Sequence, residues 1–196
     1  MSIDTIRLVL GSASPRRREL LAQIGLTPVV VPAEIDEMAI RSPDPAELVA
    51  LLSAAKHEAV VHRINASNAS VLDDHWVLTA DTVVVLDNDV LEKPADEADA
   101  ARMLGRLCGR THRVVTGLAI SKPGKPPVTY RAITEVTFVE MDAAEIEWYV
   151  STGEWHDVSG AYRIQGRGAR YISAISGSHS NVVGLPLHLV YSILRG

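Results

Sequence analysis

The hydrophobic and polar positions of this chain alternate between strand-like and helix-like patterns from its beginning. The apolar run 6–10 predicts a buried strand. Ser14 and Pro15 then suit the N-cap and first position of a helix, and Leu20 and Ile24 give that helix an apolar face. The same succession recurs downstream, which favours an α/β fold.

The remaining pattern predicts further strands and helices in alternation. Strands are predicted over 28–31, 76–86, 112–121, 128–140 and 170–175. Helices are predicted over 45–64, 97–106, 142–151 and from 186 onward, and segment 65–74 is predicted to be a polar turn. No repeat and no flexible linker interrupts these elements, so residues 1–196 are predicted to form a single domain.

Composition narrows the class of protein. A content of 47% hydrophobic and 22% charged residues is that of a globular protein. The net charge of −5 argues against binding to duplex nucleic acid, which requires a basic face, but leaves a small anionic substrate open. The single cysteine excludes an internal disulfide framework and a cysteine-based zinc site.

The chain also lacks the sequence signals of a membrane protein. No apolar run approaches the roughly 20 residues of a membrane span, and the first residues do not have the pattern of a signal peptide. The predicted location is therefore the cytoplasm, without a membrane partner.

The junction between the first strand and the first helix carries an unusual basic cluster. Arg16, Arg17 and Arg18 occupy the first helical turn, where they oppose the positive end of the helix dipole. An anion at this helix end would explain them, because backbone N–H groups, the Ser12 and Ser14 hydroxyls and the guanidinium groups could then converge on phosphate oxygens. The alternative is a solvated basic turn.

Lys56 is a second misplaced charge. It lies on the same row of the long predicted helix as the apolar residues Leu48, Leu52 and Val60. A lysine in that row either extends its ammonium group to the surface or meets a phosphate or carboxylate. The sequence leaves both outcomes open.

Asp81 is the most informative misfit. It interrupts the apolar run 76–86, which the pattern predicts to be a buried strand. A buried carboxylate without a partner is costly, so this position implies a cation, a metal ion or a cleft. A purely structural ion pair is the alternative.

Several shorter segments add polar residues that, taken singly, also fit solvated loops. Taken together and in order, these positions resemble the Maf family of nucleoside triphosphate pyrophosphatases. They are residues 12–17, 36–37, 56, 80–82, 92–94, 160–162, 164–166 and 183–187. Any one of them occurs by chance, whereas the ordered set over the whole chain is specific. The resemblance implies a mixed, strongly twisted central sheet flanked by helices, in two lobes with a nucleotide cleft between them.

The resemblance also implies an activity and its requirements. Members hydrolyse a nucleoside triphosphate between the α- and β-phosphates and require a divalent cation, usually Mg²⁺ or Mn²⁺. Homodimers are reported among them. By position, Asp81 would be the general base and Glu37 would lie near the metal. The triphosphate would be held by Ser12, Ser14, Arg16, Arg17, Lys56 and Lys93.

Three positions of the resemblance concern the base. Arg16, Thr82 and Gln165 match the branch that acts on dTTP and UTP, whereas a neighbouring branch that prefers 7-methyl-GTP has Trp, Gln and Glu there. A Gln amide offers both a donor and an acceptor to the edge of a pyrimidine. Two positions depart from the pattern: Arg18 adds a third basic residue, and Thr79 stands where many relatives have Gly.

Two other functions remain open at this stage. The family is associated with arrest of septum formation and with removal of modified nucleotides, so a non-catalytic, nucleotide-binding regulator of cell division is the main alternative. A phosphate-ester hydrolase that releases inorganic phosphate is the second. A buried carboxylate beside the phosphates is of little use to a pure binding protein, which favours the pyrophosphatase.

Overall fold

A computed structural model describes residues 3–196, apart from the side chains of Asp4, Asn68 and Ala69. Its strands are β1 (Arg7–Leu10), β2 (Val29–Val30), β3 (His75–Leu86), β4 (Asp89–Leu91), β5 (Thr111–Ser121), β6 (Val128–Phe138) and β7 (Ile172–Ser176). Its α-helices are α1 (Pro15–Gln23), α2 (Pro45–Asn68), α3 (Glu97–Leu107), α4 (Ala143–Ser151), α5 (His179–Val183) and α6 (Leu187–Arg195). Short 3₁₀ helices occupy Ile3–Thr5, Glu37–Ala39, Ala69–Asp73, Ser159–Ala161 and Arg167–Tyr171.

The strands of the described residues form one mixed sheet. Their order is β2-β1-β3-β5-β6-β7, and β4 pairs with β3. Strand β1 runs parallel to both β2 and β3, with Leu10 opposite Leu78, whereas β4 is antiparallel to β3 and β7 is antiparallel to β6. The predicted α/β class and the mixed sheet are therefore confirmed. Within residues 3–196, no helix has the length and apolarity needed to cross a membrane.

The chain divides into two compact units. The first comprises the residues up to Asp81 together with 116–132 and 184–196, and the second comprises 82–115 and 133–183. Two units agree with the two lobes that the sequence predicted. That residues 1–196 behave as one domain stays a prediction.

In the first unit, helix α2 packs closely on the sheet. A Cβ atom on Gly117 of β5 would lie 2.5 Å from the carbonyl carbon of Val49, so the strand and the helix backbone approach as only glycine allows. Gly11, after β1, is similarly closed in by the side chains of Thr79 and Val60. These contacts fix the height of α2 above β1, β3 and β5.

The second unit has its own apolar core around α3 and α4. Its buried residues include Leu104 and Leu107 of α3 and Tyr149 of α4. An aromatic cluster adds rigidity, because the rings of His112, Phe138 and Tyr162 meet edge to face at centroid distances of 4.8–5.4 Å. Helix α3 begins as predicted with Asp96, whose side chain accepts from the Asp99 N–H.

Several predicted boundaries were wrong. Helix α2 continues to Asn68 and is followed by a 3₁₀ helix, where the polar composition of 65–74 had predicted a turn. Buried Ile64 anchors the last turns of α2 to the core, and the Ser67 hydroxyl donates to the Arg63 carbonyl. Residues 65–67 therefore form the exposed side of a continuing helix. Strand β2 contains two residues, β6 ends at Phe138, β7 begins at Ile172, and α5 was not predicted.

Candidate functional site

Lys56 and Asp81 form a buried ion pair in the first unit. The Lys56 Nζ lies 2.5 Å from Oδ1 of Asp81 and 2.9 Å from Oε1 of Glu37. Lys56 and Asp81 are 8% and 7% exposed, whereas the Glu37 side chain is 55% exposed. Of the two outcomes left open for Lys56, the structure shows the carboxylate partner. One ammonium group thus holds two carboxylates together.

Two hydrogen bonds hold α2 against the sheet on either side of Lys56. The Thr79 hydroxyl, two residues before Asp81 on β3, donates to the Ser53 carbonyl of α2 at 2.7 Å. This bond links the helix to the strand one turn before Lys56. His57, on the other side of Lys56, shares a hydrogen bond of 2.9 Å with the buried Ser121 hydroxyl. Sequence reasoning gave Thr79 no role, although a hydroxyl inside an apolar run marks a buried hydrogen bond.

Glu37 reaches the pair from a short capped turn. Asp36 is the N-cap of the 3₁₀ helix Glu37–Ala39, and its side chain accepts from the Met38 N–H at 3.0 Å. The adjacent acidic residues therefore have different tasks. Asp36 fixes the turn, and Glu37 extends to Lys56.

Arg17 is held in place by two acceptors. Its Nε donates to the Gly184 carbonyl at 2.9 Å and its Nη1 to the Ser12 hydroxyl at 3.1 Å. Ser14 is the N-cap of α1 and accepts from the Arg17 N–H at 3.5 Å. Sequence reasoning found the segment that contains Gly184 but missed the role of its carbonyl, because a backbone acceptor leaves no signal in side-chain chemistry.

The electrostatics connect Arg17 to the carboxylates. Burial lowers the pKa of the Arg17 guanidinium, and neighbouring Arg16 lowers it further, whereas Asp81 and Glu37 act in the opposite direction. The first turn of α1 contains no acidic residue. Arg17 thus lies within reach of the charges of Asp81 and Glu37, at a helix N-terminus that itself favours anions, an arrangement suited to an anion that carries a cation.

The two carboxylates also fit a divalent cation. Glu37 and Asp81 supply hard oxygen ligands that already converge on one positive charge, that of Lys56. Among residues 3–196 no cluster of three or more His, Cys, Asp or Glu could form a complete protein cage. Mg²⁺ commonly uses one or two carboxylates and takes its other ligands from substrate phosphates and water, which this pair allows.

The remaining predicted site residues belong to the second unit. Lys93 is exposed just after β4, and Thr82 is the first residue of the unit on β3. A tight turn braces both segments, because the Ser159 hydroxyl donates to the Thr82 carbonyl at 3.3 Å and the Gly160 N–H donates to the Glu92 carbonyl at 3.2 Å. Gly160 has φ 72° and a Cβ there would lie 2.8 Å from Val84, so glycine is required.

Gln165 is exposed in a turn whose Gly166 N–H donates to the Arg163 carbonyl at 3.3 Å. Its neighbour Ile164 is buried and fixes the turn to the core of the second unit. The first unit thus contains Ser12, Ser14, Arg16, Arg17, Glu37, Lys56 and Asp81. Contacts join Lys56 to Glu37 and Asp81, and Arg17 to Ser12 and Ser14. Thr82, Lys93 and Gln165 are carried by the second unit.

The fold and this cluster define an α/β protein with a basic helix N-terminus and, in the same unit, a buried lysine that holds two carboxylates. A family model described as "Maf-like protein" matches residues 7–196. The chain therefore belongs to the Maf-like family, as the resemblance indicated.

Curated relatives match over nearly their whole length. A dTTP/UTP pyrophosphatase of Symbiobacterium thermophilum is 47% identical over 188 residues, which are 96% of this chain and 92% of the relative. The dTTP/UTP pyrophosphatase of Moorella thermoacetica is 49% identical over 189 residues, which are 96% of this chain and 93% of the relative.

Solved structures with little sequence similarity share the fold. The Staphylococcus aureus Ham1 protein superposes with a TM-score of 0.53 at 12% identity, over 97% of this chain and 98% of that protein. A HAM1 protein from Coxiella burnetii gives a TM-score of 0.51 at 15% identity, over 97% and 99% of the two chains. At these identities the likeness concerns the fold alone.

Proposed function

We propose that this protein hydrolyses dTTP and UTP to the nucleoside monophosphate and pyrophosphate. The observation that carries the proposal is the buried Asp81 carboxylate, held by Lys56 beside Glu37 and within the electrostatic influence of Arg17. Relatives named dTTP/UTP pyrophosphatase, with 43–49% identity and coverage of 96% or more of this chain, support the substrate and the reaction.

In this proposal Asp81 is the general base. Lys56 fixes the carboxylate through Oδ1, and Oδ2 accepts a proton from the water that attacks the α-phosphorus. A positioned carboxylate within hydrogen-bond reach of the attacking water supplies the proton transfer that this step requires. The leaving group is pyrophosphate, which departs readily once cations neutralise the negative charge that develops on it.

The basic residues hold the triphosphate. Arg16 and Arg17, with the N–H groups of the first turn of α1, bind phosphate oxygens, and the Gly184 carbonyl and Ser12 hydroxyl keep the Arg17 guanidinium oriented. The Ser12 hydroxyl orients Arg17 and the Ser14 hydroxyl caps α1. In the proposal both hydroxyls also bind phosphate oxygens. Lys56 and Lys93 add two further cations.

The proposal includes a divalent cation, Mg²⁺ or Mn²⁺, held by Glu37 beside Asp81, whose two oxygens serve Lys56 and the attacking water. Such an ion would neutralise phosphate charge and raise the electrophilicity of the phosphorus. Both residues already lie against one positive charge, that of Lys56.

Base selection is assigned to Arg16, Thr82 and Gln165. The Gln165 amide can donate to a pyrimidine carbonyl and accept from its N–H, and it is exposed and therefore available to a ligand. The family resemblance further supports a single domain, a homodimer and a cytoplasmic location.

The decisive experiment is hydrolysis of single nucleotides in ¹⁸O-labelled water with Mg²⁺ or Mn²⁺, followed by mass spectrometry of the products. The proposal predicts pyrophosphate and UMP or dTMP, with one ¹⁸O atom in the monophosphate because water attacks the α-phosphorus. Orthophosphate with a nucleoside diphosphate would refute it. Tight nucleotide binding without turnover would support the non-catalytic regulator instead.

A further inference from the structure

The turn that carries Gln165 is held at both ends by side chains from outside it. The Arg163 N–H donates to the Tyr149 hydroxyl at 3.0 Å, and the Arg167 N–H donates to Oε2 of Glu154 at 2.8 Å. The Tyr149 hydroxyl in turn donates to the same Oε2 at 3.4 Å. Two side chains thus connect the backbone on either side of Gln165.

The direction of these bonds is determined by their chemistry. The Tyr149 oxygen accepts from Arg163, so its own hydrogen is available for Glu154, and a carboxylate can accept both this hydrogen and that of Arg167. Tyr149 itself is fully buried in the core of the second unit. The turn is therefore connected to the core by a chain of three hydrogen bonds, two of which end on Glu154 and one on Tyr149.

Gly166 leaves room for the Glu154 carboxylate, which lies against its Cα. A Cβ on Gly166 would lie 2.8 Å from Cδ and 2.9 Å from Oε1 of Glu154. The backbone of Gly166, with φ −110° and ψ −152°, is one that other residues also adopt. A side chain at position 166 would therefore displace the Glu154 carboxylate but would not strain the backbone of the turn.

We propose that Glu154 is the positioning residue for base selection, because it fixes the turn 163–167 and thereby the Gln165 amide that faces the base. This inference rests on the proposed function, in which Gln165 reads the pyrimidine. An exposed glutamine on an unrestrained turn would lose conformational entropy on binding and would discriminate weakly between bases. The bonds to Glu154 and Tyr149 restrict the turn before the nucleotide binds.

The test measures base selectivity by binding and by turnover. The ratio of dissociation constants for α,β-imido UTP and α,β-imido GTP is measured beside kcat/KM for UTP and GTP. For Glu154→Ala we expect the pyrimidine preference to fall about tenfold, the effect of one misplaced hydrogen-bonding group, with a smaller change in kcat for UTP. Glu154→Gln retains an acceptor for the Arg167 N–H and should restore most of the preference.

A second variant displaces the carboxylate without removing it. Gly166→Ala places a methyl group against Glu154, whose flexible side chain moves away from Arg167. We expect the same loss of preference as for Glu154→Ala. In the double variant Glu154→Ala/Gly166→Ala the two losses should not add, because the methyl group then has no carboxylate to displace.

Glu145→Ala is the matched control. The Glu145 carboxylate also accepts one backbone N–H, that of Asp142, in the capping box of α4. Its removal should cost stability and leave the base preference unchanged. Hydrogen exchange of the peptide 163–168 should accelerate in Glu154→Ala and stay at the wild-type rate in Glu145→Ala.

The outcomes separate this inference from the proposed function. Unchanged preference in both Glu154→Ala and Gly166→Ala overturns the inference, as does an equal loss of binding for every nucleotide. A wild-type protein without any base preference overturns it as well. A wild-type protein that binds the UTP analogue selectively but releases no pyrophosphate refutes the proposed hydrolysis, while the binding ratios still decide the role of Glu154.

Discussion

Lys56 and Asp81, which are 25 residues apart in sequence, meet at 2.5 Å in a buried ion pair. Burial of two charges costs several kcal/mol of desolvation, which their attraction offsets only when the geometry is good. Hydrophobic residues in both positions would often be as stable. A pair of this kind is therefore expected to serve the chemistry of the site more than the stability of the fold.

Lys56→Met should destabilise the protein by about 3–5 kcal/mol, because it leaves the Asp81 carboxylate buried without its cation. The double variant Lys56→Met/Asp81→Leu should recover most of that loss, since no buried charge remains. Urea unfolding measures both. Equal stability of the single and double variants would show that the pair does not carry this electrostatic cost.

Asp81→Asn should lower kcat by about 10²–10⁴-fold, because an amide cannot accept the proton of the attacking water. Binding of a non-hydrolysable triphosphate analogue should be retained. The control is Asp89→Asn, which removes an exposed carboxylate paired with Arg106 and should have normal kcat. Near-normal turnover of Asp81→Asn would exclude its role as general base.

Gln165→Glu should erode the preference for UTP and dTTP by about tenfold or more, because a carboxylate has no N–H to donate to a pyrimidine carbonyl. The measurement is kcat/KM for UTP, dTTP and GTP. Gln23→Glu, at an exposed position of α1, introduces the same charge as a control. Selectivity equal to the wild type would remove Gln165 from base recognition.

Gly117→Ala should destabilise the protein by about 1–3 kcal/mol and lower activity, because its methyl group meets the Val49 backbone and displaces α2, which carries Lys56. Gly105→Ala is the contrast. Its Cβ would lie 4.0 Å from Ile146, so alanine should stabilise α3 by about 0.5–1 kcal/mol. Thermal unfolding and kcat/KM test both, and full activity of Gly117→Ala would contradict the tight packing of α2.

Stability should fall at acidic pH partly through His112. Burial lowers the pKa of His112 from 6.5 to about 4, so between these values the unfolded chain binds a proton that the folded protein does not. The free energy of unfolding therefore falls as pH decreases from 6.5 to 4, by about 3 kcal/mol for this group. His112→Gln retains a hydrogen-bonding partner for the Tyr162 hydroxyl and should lack this component.

Urea unfolding of the wild type and His112→Gln at pH 7.5, 5.5 and 4.5 measures the difference. Burial also lowers the pKa of His57, but that residue is common to both proteins, so its contribution cancels in the comparison. Parallel pH profiles for the two proteins would contradict the prediction.

Much of the fold followed from local patterns. The caps Ser14 and Asp96, and the apolar run of β3, placed these elements correctly because capping and burial leave signals within a few residues. The prediction of a turn over 65–74 was wrong because polar composition there was mistaken for a loss of helix. The exposed side of a long helix is polar too, and only the position of Ile64 in the core distinguishes the two cases.

For the candidate site, the sequence identified the residues but not their contacts. The sequence alone determined the family and identified Lys56 and Asp81 as charges in apolar surroundings, because hydrophobic periodicity records which positions are buried. It did not determine the partners of those charges. Close backbone packing of α2 on β5 at Gly117 decides that they meet, and the Gly184 carbonyl decides the orientation of Arg17. Such contacts join segments distant in sequence, so only the tertiary structure sets their distances.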